Sequence, residues 1–196
     1  MFSRIESSLL VLALCLFATS ASKAETPSLD TRRAQFNQLL KDEWEYELKE
    51  SPERATVVGD YRYNDRWSDN SLAHVQQVKH DLEDWLAKFD ALETSGFDEQ
   101  EKLSHSLMVR NLTQRIEGID LKTYEMPVEQ FNGAHLQFAQ FVAIIPFNTT
   151  KQYEDYLARL HKIPAAFDQI IEVLQQGEKD KLMPPRFLLE KTVTQC

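Results

Sequence analysis

Between Gly59 and Ser68 the chain reads DYRYNDRW, placing two tyrosines, a tryptophan, two arginines and two aspartates within eight residues. Arginine pairs with carboxylates through two parallel N–H bonds, and aromatic rings give contact area at low entropic cost, so such a run can line a groove for a peptide or a sugar. The same side chains equally build a salt-bridged turn that docks a long connector onto a helical body. Asp60, Tyr61, Arg62, Asp65 and Arg66 are therefore candidates for a substrate cleft or a domain interface.

Other chemistries find less support. A zinc site of the peptidase kind needs two histidines about one helical turn apart with a glutamate beside the first. His74, His80, His105, His135 and His161 are mutually distant, and none is followed by Glu. The six-residue separation of His74 and His80 turns them to different faces of one helix. There is no Gly-x-Ser-x-Gly elbow and no glycine-rich phosphate loop. Acidic pairs such as Asp42/Glu43 and Glu83/Asp84 read as solvated helix faces, and Asn111-Leu112-Thr113 and Asn148-Thr149-Thr150 as incidental sequons. The residue types thus assign no catalytic, cofactor-binding or metal-ligating position.

The elements that carry these residues are helical. Phe36, Leu39, Leu40, Trp44 and Leu48 recur every three or four positions, with Ser28 as cap and Ser51-Pro52 as stop. Pro52 opens a short second helix, capped by Ser51 and closed at Gly59, after which Asp60 to Asn70 is a connector. Leu72 to Leu92 is the clearest amphipathic run, and Asp98 with Glu101 makes a capping box for a partner helix through Ile116; the two form an antiparallel hairpin. Ile119 to Gly133 reads as loop with a short strand, and Ala134 to Ile145 as a buried helix because it is apolar nearly all round. Asn148 or Thr149 caps a helix through Leu160, Pro164 separates it from one ending at Gly177, and Pro184-Pro185 opens a last helix still in progress at Cys196. The expected fold class is all-α: an irregular array of antiparallel helical hairpins, forming an incomplete part of a larger helical domain.

The totals bound the function class. The 196 residues are 42% hydrophobic, with a net charge of −9. Residues 1–24 carry Arg4, the apolar run Leu9 to Ala18 and the small residues Ser22 and Ala24, the pattern of a secretory signal peptide cleaved after Ala24. The run is half the length of about 20 residues that a membrane span needs. The chain is thus expected to be exported, periplasmic or secreted, with 25–196 as its helical portion and no membrane span after cleavage. Its acidity argues against nucleic acid, whose phosphates draw on clustered Lys and Arg. Without Cys15 only Cys196 remains, so no internal disulfide forms. A lone terminal thiol fits either pairing between chains or a chain that stops short, and the second is the expectation here.

Three ordered motifs carry a family resemblance. They are Pro-x-x-Ala-Thr-x-x-Gly-Asp from Pro52, Pro-Phe followed by Tyr-x-x-Tyr-Leu-x-Arg-Leu from Pro146 to Leu160, and Pro-Pro-Arg ending at Arg186. In this order they resemble the N-terminal part of the bacterial "domain of unknown function 885" family, over most of Leu29 to Cys196. Its members resemble gluzincin-type zinc metallopeptidases, mostly helical, often exported and longer than this chain. The resemblance implies zinc at a His-Glu-x-x-Pro-Gly-His motif downstream of the matched region, and this chain contains no His-Glu pair. What carries over is architectural: Asp60 to Arg66 and Pro185-Arg186 fall on family positions in a helical part that packs on, and partly walls, the peptidase cleft. The expected function is therefore the N-terminal helical part of an exported metallopeptidase-like protein, inactive alone, with a peptide substrate or the C-terminal region as partner. The alternative is a free-standing periplasmic helical module that binds a peptide or protein.

Overall fold

Short polar side chains set where the helices begin. The Ser28 and Ser71 hydroxyls accept from the Thr31 and His74 amides at 3.2 and 3.3 Å. Asp98 accepts from the Glu101 amide while Glu101 accepts from the Asp98 amide, both at 2.8 Å, and Thr149 with Gln152 repeats that reciprocal box. Each cap satisfies amides that the first turn leaves without a partner. The resulting elements, in a computed structural model that describes residues 27–129, 131 and 133–195, are α1 (Leu29–Glu50), α2 (Pro52–Val57), α3 (Leu72–Asp90) and α4 (Glu99–Asp120), followed by α5 (Ala134–Gln140), α6 (Thr150–His161), α7 (Ile163–Asp180) and α8 (Arg186–Thr192). The described residues contain no strand, and the protein is all-α. The leader read at residues 1–24 lies outside the described residues, and no described helix is long and apolar enough to cross a membrane.

The main core lies between α1, α3 and α4. Phe36, Leu82, Phe89, Phe97 and Leu112 are buried together, with Phe36 edge-on to Phe89 at 6.4 Å. The α3 and α4 helices are the most extensively packed pair and run antiparallel. His105, early in α4, meets the carbonyl of Phe89, late in α3; Lys79, early in α3, meets Asp120 at the far end of α4. Buried Arg32 ties the start of α1 to the α3–α4 turn by donating to the Glu93 and Ser95 carbonyls, both at 2.8 Å. Its guanidinium thus replaces water for two turn carbonyls.

Several expectations change. Ser51 makes no side-chain cap; the fixed φ of Pro52 starts α2 without one. The segment after α4 forms a tight 3₁₀ turn over Thr123–Glu125 rather than a strand, entered through Lys122 at φ 55°. Ala134 to Ile145 is not one buried helix: past Gln140 it tightens to a 3₁₀ turn, Phe141 and Ile145 are buried, and Val142 and Ile144 stay 42% and 48% exposed. The change from 3.6 to 3.0 residues per turn re-aims successive side chains, so the apolar surplus is shared between core and a cavity wall. The last helix ends at Thr192.

Gly177 does not end its helix, because α7 continues to Asp180 and stops at Lys181, φ 63°. The glycine is there for space. A Cβ at 177 would stand 2.8 Å from the carbonyl oxygen of Glu125 and 2.9 Å from that of Leu182. The 3₁₀ turn therefore lies directly on the α7 backbone, and it carries Glu125 into full burial.

No protein donor meets either Glu125 carboxylate oxygen, Lys122 Nζ stands 3.9 Å away, and the Asp180 carboxylate is placed to take a bond from Glu125 when it is protonated. Burial raises its pKa above the ordinary 4.5, and the nearby Asp180 charge adds to that, against Lys122. A carboxyl whose pKa rises on folding contributes most below its unfolded value, and that contribution is lost as pH climbs through the folded value. Glu125→Gln should therefore gain over the parent as pH rises above 4.5. Melting curves from pH 4 to 8, a range spanning ordinary and raised carboxyl pKa values, test this; a gap that stays constant with pH would contradict it.

Candidate functional site

The connector after α2 is held from within. Gly59, at φ 89°, closes the helix: its amide donates to the Thr56 carbonyl at 3.1 Å and the Asp60 amide to the Ala55 carbonyl at 2.8 Å. This six-to-one and five-to-two pair is the arrangement a left-handed glycine permits. The chain then turns through a 3₁₀ turn at Tyr61–Tyr63, capped by Asp60.

The charges foreseen as a candidate site meet protein. Asp60 takes the amide and side chain of Arg62, and Arg62 Nη2 also reaches Glu45 at 2.8 Å. The Arg62 hydrogen bond, working against burial, holds the Asp60 carboxyl below its ordinary value. Arg62 and Arg66 lie against the Tyr63 ring at 5.4 and 5.0 Å. Asp65 pairs with Lys162 at 3.5 Å and with Arg66 at 3.4 Å. Tyr61 is exposed. Arg186 sits apart at the start of α8, exposed and bonded to Glu190 one turn on. The structure brings Asp60 to Arg66 together as one outer turn and leaves Arg186 out of it.

Beneath that turn lies a residue that composition did not single out. Arg159 of α6 is fully buried. Its Nε donates to the Arg66 carbonyl at 2.8 Å, Nη2 to the carbonyls of Tyr63 at 3.0 Å and Pro52 at 3.4 Å, and Nη1 to Thr56 Oγ1 at 3.2 Å. Its planar fork matches that spread of acceptors as a point-charge ammonium cannot. The guanidinium is also stacked against Trp67 and Phe141, 5.1 and 4.8 Å from the ring centres. Burial lowers its pKa, while the charges of Glu53, Asp65 and Asp155 raise it. Trp67 Nε1 returns a bond to the Arg159 carbonyl at 2.8 Å. Lys162 and Gln169 add ties to the Asp65 carbonyl, the Asn70 amide and Asp69. One signal was available: Arg159 follows Tyr156 by three positions and so interrupts the apolar stripe of α6.

The far end of the connector opens on a cavity of about 890 Å³. Trp67, Phe138, Phe141, Ile144, Val75 and Val173 supply much of its apolar wall, Glu53, Ser68, Asp69, Asn70 and His74 a polar edge, and Gln137 and Gln140 add amides from the α5 side. Trp67 meets Phe138 and Phe141 edge-on at 4.7 and 5.2 Å, so the aromatic wall is itself a packed unit. Asp60, Tyr61, Arg62, Asp65, Arg66 and Arg186 do not line it.

Of the motif-bearing elements, α2 and its connector line this cavity, α6 supports its wall through Arg159 without lining it, and α8 lies outside it. The model of a family described as "Bacterial protein of unknown function (DUF885)" matches residues 52–196. The chain belongs to this family. No curated protein matches it. In this DUF885 protein the first two motifs coincide with the Arg159 network: Pro52, Thr56 and the turn after Gly59 are what the Arg of the Tyr-x-x-Tyr-Leu-x-Arg-Leu helix holds. The described part of the DUF885 chain does not fit the zinc that the resemblance implies. Among the described residues no group of three or more His, Cys, Asp or Glu side chains is placed to hold a metal ion. His74 is bonded to Glu50 and His105 to a backbone carbonyl.

Proposed function

We propose that this chain is the helical part of an exported, metallopeptidase-like DUF885 protein, and that its own contribution is to hold a peptide rather than to cleave it. The cavity carries this reading. Its volume lies within the range of about 300–1,000 Å³ typical of ligand sites, and it combines an apolar, aromatic wall with a few polar groups at one edge. The wall is pre-organised, because Trp67 and Phe141 are braced from behind by the Arg159 guanidinium. A braced wall spends less binding energy on ordering side chains. The outer turn from Asp60 to Arg66 then serves as the buttress of that wall.

The test is calorimetric titration of the purified protein with Phe-Leu amide. Ala143 lines the cavity on its exposed 3₁₀ turn, so Ala143→Trp fills space without entering the core. Saturable binding that weakens by about tenfold or more in Ala143→Trp, with an unchanged melting temperature, is the expected result. Equal binding to both proteins would place the peptide elsewhere and end the proposal.

A further inference from the structure

The charge around the cavity selects among peptides. Glu53 and Asp69 line it, and among the described residues no lysine or arginine does. The nearby cations stand behind the wall rather than in it, with the Arg159 charge shared among Glu53, Asp65 and Asp155. Arg159 stands behind Trp67 and Phe141, holding carbonyls, and Lys162 is tied to Asp65. His74, the one basic side chain among the described residues of the wall, is bonded to the Glu50 carboxylate behind it at 2.7 Å.

These carboxylates keep acceptor capacity. Ser68 gives its amide to Glu53 Oε1 at 3.0 Å and its hydroxyl to Oε2 at 2.5 Å, one bond to each oxygen. The Ser71 amide and Gln169 Nε2 both donate to Asp69 Oδ1, at 2.9 Å. An ionised carboxylate offers about four lone-pair sites, so each has room for a further donor. Burial works against the Asp69 charge, but the Ser71 and Gln169 bonds and His74 outweigh it and hold the carboxyl below its ordinary value. Apolar walls next to such an edge focus its negative field into the cavity.

We infer that the cavity takes an apolar peptide segment carrying a positive charge, with the large side chain against Trp67, Phe138 and Phe141 and the cation at Glu53 and Asp69. This rests on the peptide-holding function proposed above and narrows it. Acidic apolar ligands, fatty acids among them, are excluded by the same field.

Three probes of near-equal bulk separate the two ideas: Phe-Leu amide with a free amine, 3-phenylpropanoyl-Leu amide in which hydrogen replaces that amine, and the free acid of this analogue. The amine should bind about tenfold tighter than the neutral form, as expected for one partly desolvated charge-assisted contact, and the acid weakest of all. The advantage of the amine should shrink with added salt and fall to about twofold in Asp69→Asn and Glu53→Gln. Equal affinity for amine and neutral forms, or tighter binding of the acid, would overturn the charge selection while leaving the peptide-holding function in place. Binding of none of the three would remove both. An amine preference that survives both substitutions would also overturn the assignment, since another group would then be its source.

Discussion

Arg159→Met should release the connector from the helical body. The substitution keeps a long apolar stem but removes the donor to the part-buried Arg66 and Tyr63 carbonyls and to the buried Thr56 hydroxyl, while the Pro52 carbonyl keeps its bond from Thr56 at 3.0 Å. An unsatisfied buried group costs about 1–3 kcal/mol, and partial hydration brings the total to about 4 kcal/mol. For a domain of this size that is a fall of about 10 °C in melting temperature. Arg159→Lys should recover less than half of the loss, because an ammonium cannot reach acceptors on both sides of the fork. Thermal melts followed by circular dichroism and by tryptophan fluorescence decide it. A melting temperature within about 2 °C of the parent would mean that the network is incidental.

Gly177→Ala should destabilise, against what helix propensity alone predicts. Alanine inside a helix is worth about 1 kcal/mol over glycine, so a solvent-facing site would gain. Here the added Cβ meets two backbone carbonyl oxygens closer than 3.0 Å, and backbone cannot swing aside as a side chain can. A net loss of about 2 kcal/mol is expected, and a larger one for Gly177→Val, from the displacement of the Glu125 turn off α7. Urea denaturation measures both. A stabilised Gly177→Ala would show that the 3₁₀ turn is not seated on α7.

These two positions show what could and could not be read from the chain. Helix starts were legible because caps are local chemistry: Ser28, Asp98 and Thr149 each act on the amide three residues on. The α3–α4 hairpin was legible from its period. Gly59 and Gly177 carry the same letter, yet one supplies a left-handed φ and the other a place for a distant carbonyl. Only the first can be argued from neighbours in sequence. The stretch from Ala134 to Ile145 misled for a related reason. Its apolarity correctly signalled contact with something, but composition cannot say that half of that contact is with a cavity.

The candidate site divides in the same way. The run from Asp60 to Trp67 was conspicuous because its charges and rings are crowded in sequence, and most of them prove to be spent on each other and on Glu45 and Lys162. Trp67 at its end is the residue that reaches the cavity. Phe138 and Val173 lie far along the chain, and their convergence on Trp67 depends on how α5 and α7 pack. Arg159 was inside a motif already noticed, and its burial separates it from an ordinary helix-surface arginine.

The account turns on where an apolar peptide binds, and chemical-shift mapping answers that most directly. Titrating Phe-Leu amide into the isotopically labelled protein should move the Trp67 indole and the amides of Ser68 to Asn70 and of Phe138 to Ile144, with the Val75 and Val173 methyls following the same saturation curve. Shifts confined to the exposed Tyr153 and Leu157 face of α6, or to the outer turn at Tyr61, would contradict it.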